Sequence, residues 1–389
     1  MQVLIPPEKR DVHDGIPQGF NSAGHVAHLN LRENYMPWKR VIAEVLVDKN
    51  PHIRTVINKT ADVGTGSEFR TFGYEVLAGP DDLDVEVREN DCVFRFDYAK
   101  VYWNSKLHGE HTRLIDMFRP GDVVCDVMAG IGPFAVPAGK KGVFVWANDY
   151  NPESYRYLDE SIKRNKVSGR TLQKALPHLT TPRHYRSSCW EKVIHTLTRL
   201  HVQVQDYVRP FNRDGRDFIR EAADAVYAAS QNGEYALVRM TSKEKNRRKR
   251  VLAQGGPEAE SLLEPERVPI PPTITHFVMN LPATATTFLP HFRGLYSGRE
   301  ELFAPRPGPG AAKLPMVHVH CFAPKVEDDS SVREVCARLS SELGVAFTPG
   351  DPEEPGRAAV HNVRTVAPNK DMFCASFRLP PEVAFAPRP

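Results

Sequence analysis

The chain reads as an α/β protein: a domain with a mostly parallel sheet and an antiparallel edge strand, preceded by a smaller α+β domain. A unit at residues 123–151, VVCDVMAGIGPFAVPAGKKGVFVWANDYN, first points there. It runs buried strand, glycine turn, helix start, second buried strand, acidic residue. Strand-like apolar runs then recur at 202–208 and 274–279, with room for helices between them. Residues 20–100, by contrast, carry a series of short strand-like runs separated by short turns, with one helical stretch among them.

Taken in order, residues 1–19 are expected to form a flexible segment punctuated by Pro6, Pro7, Gly15, Pro17 and Gly19. HVAHLNL alternates like a strand from His25, and Trp38 to Val47 has helical spacing. HIRTVIN, FRTFGYEVLAG, DVEVREN and CVFRFDY follow as strands, completing an accessory α+β domain over 20–100. The second domain is expected over 101–389. Glu110 to Phe118 is amphipathic, and the βα units start at Val123. MVHVHCF (316–322) and MFCASF (372–377) flank a helix at Ser331 to Leu343, and they leave no space for a further crossover, hence the antiparallel edge. Two insertions interrupt the rhythm, near 168–200 and 241–272. The second opens with TSKEKNRRKR, six basic residues against one acid; it reads as a solvated insertion, with a phosphate-contacting loop or nuclear-import signal as the alternative.

Composition narrows the class. A net charge of +3 permits a polyanionic partner without demanding one. Cys92, Cys125, Cys189, Cys321, Cys336 and Cys374 are scattered, with no CxxC pair and no His cluster at zinc spacing, so reduced thiols and no metal are expected. No apolar run is long enough to span a bilayer, and the acids and prolines of MQVLIPPEKRDVHDG are unlike a leader peptide.

The chemistry starts at the glycine turn. Gly130 and Gly132 let the backbone turn sharply and approach a ligand, between Asp126 at the end of the first strand and Asp149 at the tip of the next, where a carboxylate accepts from ribose hydroxyls. Gly130, Gly132 and Ala135 also fit the dinucleotide fingerprint, which leaves NAD and S-adenosylmethionine both open. Asn280-Leu281-Pro282 ends the buried strand ITHFVM; an amide fixed by a following proline can hold the edge of a planar base. Asp214-Gly215 is either a site for an adenine amino group or an ordinary turn. VYWNSKLHGEHTRL (101–114) mixes Lys106, His111 and Arg113 with Tyr102 and Trp103, a combination suited to stacking and phosphate contact.

Longer strings then decide between the cofactors. GHVAHLNLR, VINK, FDYAKVYWNSKL, EHTRL, DVMAGIGPFAVPAGKK, NDYNPESYRYL, DGRDF, MNLPATA and HNVRTVAPNKDMFCASFRLP, in order from about residue 20 to about 383, resemble the eukaryotic and archaeal tRNA (guanine-N1)-methyltransferases that modify position 37. The resemblance implies a class I (Rossmann-like) methyltransferase domain, S-adenosylmethionine as donor and 1-methylguanosine as product. Cofactor-binding residues of the family fall on His111, Asp149, Tyr150, Asp214, Gly215 and Asn280. Most relatives carry arginine at Lys106, beside the target guanine; lysine keeps the charge but loses the planar fork. The family's N-terminal flanking domain, which grips the outer corner of tRNA, is expected to be shortened or missing before Gly24.

A mechanism follows from the acceptor. Guanine N1 bears a proton, so a base must remove it as the methyl arrives, leaving charge on O6. Lys106 is assigned to that charge and Asn280 to holding the base. Glu110 is either the general base or a first-turn helix acid. Competing readings are an NAD-dependent oxidoreductase, a non-catalytic RNA-binding protein, and a methyltransferase acting on another tRNA base or a wyosine-precursor carbon. The expected partner is tRNA, through its anticodon stem-loop and outer corner, with no membrane, a monomeric state, and a cytoplasmic location extending to mitochondrial matrix and nucleus.

Overall fold

A computed structural model describes residues 19–60, 69, 71, 73–165, 207–238, 266–304 and 312–388. The expected insertion at 168–200, the basic run 241–250 and residues 1–18 lie outside the described residues.

The N-terminal part is a four-stranded sheet in the order β1 (Asn21–Ala23), β2 (Val26–Leu29), β3 (Thr55–Lys59), β4 (Tyr74–Ala78), with α1 (Lys39–Lys49) crossing between the parallel strands β2 and β3. Val56 and Ala27 meet Ile42, Ala43 and Leu46 of α1 on one face. Ala23, Val26 and Ile57 face the other way. That second face does not meet solvent. It shares a cluster with the hairpin β5 (Asp84–Glu89) and β6 (Cys92–Asp97), and with α2 (His108–Met117) through Leu114 and Ile115. The hairpin expected to close the first domain therefore packs equally into the second.

Among the described residues the larger sheet has eight strands, in the order β14 (Thr348–Pro349), β15 (Arg357–Ala367), β16 (Lys370–Arg378), β13 (Met316–Pro324), β12 (His276–Met279), β7 (Val123–Asp126), β8 (Phe144–Asn148), β9 (Val208–Phe211). Its parallel centre comprises β7, β8, β9, β12 and β13. Period-two geometry sends Val123, Cys125, Phe144, Trp146, Phe277 and Met279 to one face and Val124, Val145, Ala147 and Val278 to the other. Helices cover both faces. Among those described, α3 (Ala135–Lys140), α4 (Pro152–Arg164) and α2 lie on the second face, while α5 (Gly215–Gln231) and α6 (Ser330–Leu343) lie on the first. Both long central helices start from side-chain caps: Asn151 accepts from the Glu153 N–H, and Asp214 from the Arg216 N–H.

Most of the strand placed at 202–208 lies outside the described residues; the described strand covers Val208–Phe211, with Arg209 and Pro210 pairing with Trp146 and Ala147. Two expectations shift. The antiparallel edge is wider than one strand: β16 (Lys370–Arg378) pairs antiparallel with both β13 and β15 (Arg357–Ala367), and β14 (Thr348–Pro349) extends it. HNVRTVA gave no strand signal because its residues are half or fully exposed, without an apolar face. The insertion assigned to 241–272 is shorter, since β10 (Tyr235–Val238) pairs with β11 (Glu266–Pro269) and Val268 and Ile270 are buried. The chain ends in α7 (Pro381–Ala384), after which Arg388 forks onto Asp224 of α5. No described helix is long and apolar enough to cross a membrane.

Candidate active site

Strand order reverses at β7, whose neighbours are β12 and β8, and in open α/β sheets ligands bind at such a switch, beyond the carboxyl ends of the strands. A cavity of about 330 Å³ opens there. Its walls come from the loop after β7 (Val127 to Ile131), the tip of β8 (Asp149 to Asn151), the start of α5 (Asp214 to Arg216), the end of β12 (Asn280, Leu281), the segment before α2 (Tyr102 to Asn104, Leu107) and His111 of α2 itself.

One buried side chain ties these tips together. Asn148, fully buried at the end of β8, donates from its amide to the carbonyls of Val127 (3.1 Å) and Arg213 (3.0 Å), and its oxygen accepts from the Arg213 N–H (3.0 Å). Three strand ends are thus held in one frame. The signal in the sequence was a lone polar residue closing an apolar strand.

The acid at the next position is built into the glycine turn. Asp149 accepts from the Gly130 N–H at 2.7 Å through one oxygen and from the Asn151 N–H at 2.9 Å through the other. Gly130 sits at φ +57°, and a Cβ there would project into open space. Gly132, at φ +94°, is different: a Cβ would lie 2.7 Å from Leu158 Cδ1 and 2.8 Å from Val136 Cγ2. So Gly130 borders the cavity, whereas Gly132 serves the packing of the turn against α4. Gly215 allows close approach, since a Cβ would come within 3.1 Å of the Phe288 ring that lines the cavity. Asp214 caps α5 and also lines the cavity.

His111, Tyr150 and Asn280 complete the expected lining. His111 is buried, its Nδ1 against the Glu89 carboxylate and its ring edge-on to Phe134 at 4.7 Å. Tyr150 is half exposed at the mouth, beside Phe69. Asn280 Oδ1 is buried without a hydrogen-bond partner in a wall of the cavity. A buried acceptor left open costs about 1–3 kcal/mol, which a ligand donor would recover.

Other expected residues stand outside the walls. Asp126 is fully buried in the sheet, and burial, reinforced by Asp149, pushes its carboxyl up to about 8. Held towards its neutral form, it stands behind the cavity and is not among the residues that line it. Lys106 is exposed on the turn Ser105–Leu107, next to the lining residue Asn104, whose oxygen accepts from the Lys106 N–H.

Glu110 is neither a helix cap nor part of the wall. Its carboxylate accepts from Arg113 Nε (2.7 Å) and Nη2 (2.8 Å) and from His320 Nε2 (2.7 Å), with Cys374 close by. Burial alone would raise this carboxyl, but the Arg113 and His320 bonds outweigh it and hold it well below the usual range. Glu110, His320 and Cys374 are near enough to share a cation, yet the Arg113 guanidinium already occupies the carboxylate. Among the lining residues, Asn104, Phe134 and Arg216 lie within the recognised strings without being singled out, and Phe288 lies in none of them. Arg216 lies 4.8 Å above the Phe288 ring and so braces a wall, which only the folded chain reveals.

Comparison with known proteins now decides the family. Residues 85–180 match the TRM5/TYW2 methyltransferase domain model, and residues 5–82 the TYW2 N-terminal domain model. The chain is 53% identical over 385 residues to the tRNA (guanine(37)-N(1))-methyltransferase of Fusarium vanettenii, covering 99% of this chain and 71% of that protein. This chain belongs to the tRNA (guanine(37)-N(1))-methyltransferase family. The family member of Schizosaccharomyces pombe is 42% identical over 390 residues, covering 99% of this chain and 73% of its own. Wild-type Trm5b from Pyrococcus abyssi shares the fold, with a TM-score of 0.55 at 20% identity, covering 94% of this chain and 76% of that one. The structure of aTrm5 with tRNALeu does so at 0.53 and 18%, covering 94% and 72%. Membership in a methyltransferase family removes the oxidoreductase reading that the glycine turn had left open.

The geometry makes Asp149 testable. Asp149→Ala removes an ionised acceptor from the cavity and one partner of the Gly130 N–H. Affinity for S-adenosylhomocysteine, measured by calorimetry, is expected to fall at least about tenfold, the value of one charge-assisted hydrogen bond.

Proposed function

We propose that this cavity binds S-adenosylmethionine and that the enzyme, a tRNA (guanine37-N1)-methyltransferase, works there on a guanine held by Asn280. The observation that carries the reading is the open acceptor of Asn280 in the same cavity as Asp149, Gly130, Asp214 and Gly215. The donor set fits an adenosyl group. Asp149 would take the ribose hydroxyls, the Asp214-Gly215 turn the adenine edge, and the glycine turn the close approach of the chain. When bound, the cofactor supplies an electrophilic methyl group on a sulfonium.

The protein's own residues do the rest. Asn280 orients the base. Lys106, at the rim, supplies positive charge for guanine O6 as N1 loses its proton. Proton acceptance by Glu110 requires its carboxylate to exchange His320 for the base. Lys106→Ala is therefore expected to lower turnover by about 10²-fold while cofactor affinity holds; a wild-type methylation rate at saturating tRNA would remove Lys106 from the mechanism.

The deciding assay uses labelled S-adenosylmethionine and unmodified tRNA carrying G or A at position 37, followed by digestion and identification of the nucleoside. Label in 1-methylguanosine from the G37 transcript alone is expected. Equal label in both transcripts would reject the assignment. The remaining readings are further proposals: an accessory part over 20–100 and a methyltransferase part from 101, grip on the anticodon stem-loop and outer corner, a monomer, and residence in cytoplasm with shares in mitochondrial matrix and nucleus. Sedimentation at micromolar concentration and fractionation of tagged protein test the last two, a dimer or exclusion from cytoplasm being the opposing results.

A further inference from the structure

We propose that His320 is a positioning residue for methyl transfer, a buried imidazolium that fixes Asn280 through the backbone carbonyl of Met279. The proposal rests on the cavity being the site of methylation. It starts from adjacent parallel strands. Met279 is the last residue of β12, Asn280 follows it into the cavity wall, and His320 stands beside them on β13. The ring is fully buried. Its Nδ1 lies 3.2 Å from the Met279 carbonyl oxygen and its Nε2 lies 2.7 Å from Glu110 Oε1.

Donor counting sets the protonation. A carbonyl only accepts, so Nδ1 carries a hydrogen. Glu110 has no proton to give, because Arg113 donates to both of its oxygens. Nε2 must therefore donate as well, and a ring donating from both nitrogens is a cation. Other groups around it act on the same balance. Cys374 on β16 favours the charge, and so does the Glu110 carboxylate. Burial opposes it, yet the ring is pushed up to about 10, and its charge helps to lower His318 on the same strand and His361 on β15.

Two consequences follow for the reaction. Arg113, Glu110 and His320 form a chain of two cations and one anion that reaches from the exposed side of α2 to the peptide before Asn280, so the amide inherits the rigidity of the sheet. The chain also leaves one positive charge behind a cavity in which the acceptor base must lose a proton, and in a dry interior that charge acts strongly.

The test pairs a spectroscopic signature with kinetics. In histidine-¹⁵N-labelled wild-type protein at pH 8, with the ring assigned by through-bond connection to its backbone, both His320 nitrogens are expected in the protonated range; a neutral tautomer overturns the proposal. In His320→Gln, single-turnover methylation at saturating tRNA and cofactor is expected to drop about 10²-fold, with S-adenosylhomocysteine affinity held within about twofold. A wild-type rate, or a loss confined to cofactor affinity, also overturns it. If the variant does not fold, the wild-type spectrum decides alone. Failure of the wild-type chain to bind S-adenosylhomocysteine would instead reject the reading of the cavity, a result separate from the state of His320.

Discussion

Asn280→Ala is expected to slow methyl transfer about 10²- to 10³-fold at saturating tRNA and cofactor, the range for removing one aimed hydrogen-bonding group from a reacting centre. The side chain stands where β12 delivers the chain to the cavity, its oxygen buried and open. A site built to pair with a substrate N–H loses both affinity and alignment when that acceptor goes. The amide can also donate, so Asn280→Asp, which keeps an acceptor and loses both donors, should fall between alanine and wild type. Rapid-quench single-turnover assays give the rate, and calorimetry with S-adenosylhomocysteine gives cofactor affinity. If Asn280 served the cofactor alone, activity would return once cofactor saturates; the proposed role requires that it does not.

How much of this was legible before folding depends on which interactions were local. The strand, glycine turn and acid of residues 123–151 lie within one βαβ unit, so periodicity and turn chemistry place Gly130 and Asp149 directly. Asp214-Gly215 and Asn280 were recognisable because each follows a strand-like run, and parallel strands bring their carboxyl ends to one edge. Sequence offers no comparable rule for depth. Asp126 and Asp149 look alike as acids ending strands, yet one is sealed in the sheet and the other faces the cavity. Gly130 and Gly132 also look alike, and only the neighbours Leu158 and Val136 separate them.

Long-range partners were illegible for a different reason. Glu110 read as base or first-turn acid because its spacing to Arg113 is local, while His320 is 210 residues away and joins it only through the order of the sheet. The strand β15 was missed for want of an apolar face, since an antiparallel edge is held largely by its ladder to β16.

Glu110→Gln is expected to destabilise the fold by about 3–5 kcal/mol at pH 7, the cost of removing one partner from a buried ion pair. The glutamine has nearly the same shape, so the loss is electrostatic: His320 stays fully buried beside the Arg113 guanidinium without the carboxylate between them. The pH dependence tells this from a packing defect. His320 is raised in the folded state, from an ordinary 6.5 to about 10, so the stability it contributes is complete below pH 6.5 and is lost as pH climbs towards 10. Wild-type stability should therefore decline across that window, with a slope of up to about 1.4 kcal/mol per pH unit. Glu110 is lowered, so its contribution is present above its unfolded value of 4.5 and disappears as pH falls through the depressed one. In Glu110→Gln both limbs should flatten, because the imidazolium keeps Cys374 but has lost the carboxylate that adds to its raising, and the carboxyl no longer titrates. Urea denaturation at pH 4, 6.5, 8 and 10 measures this. A variant as stable as wild type at pH 7, or one that keeps the full alkaline limb, would mean that the Glu110 carboxylate does not hold His320 charged, and the chain from Arg113 to Asn280 would be broken at its middle link.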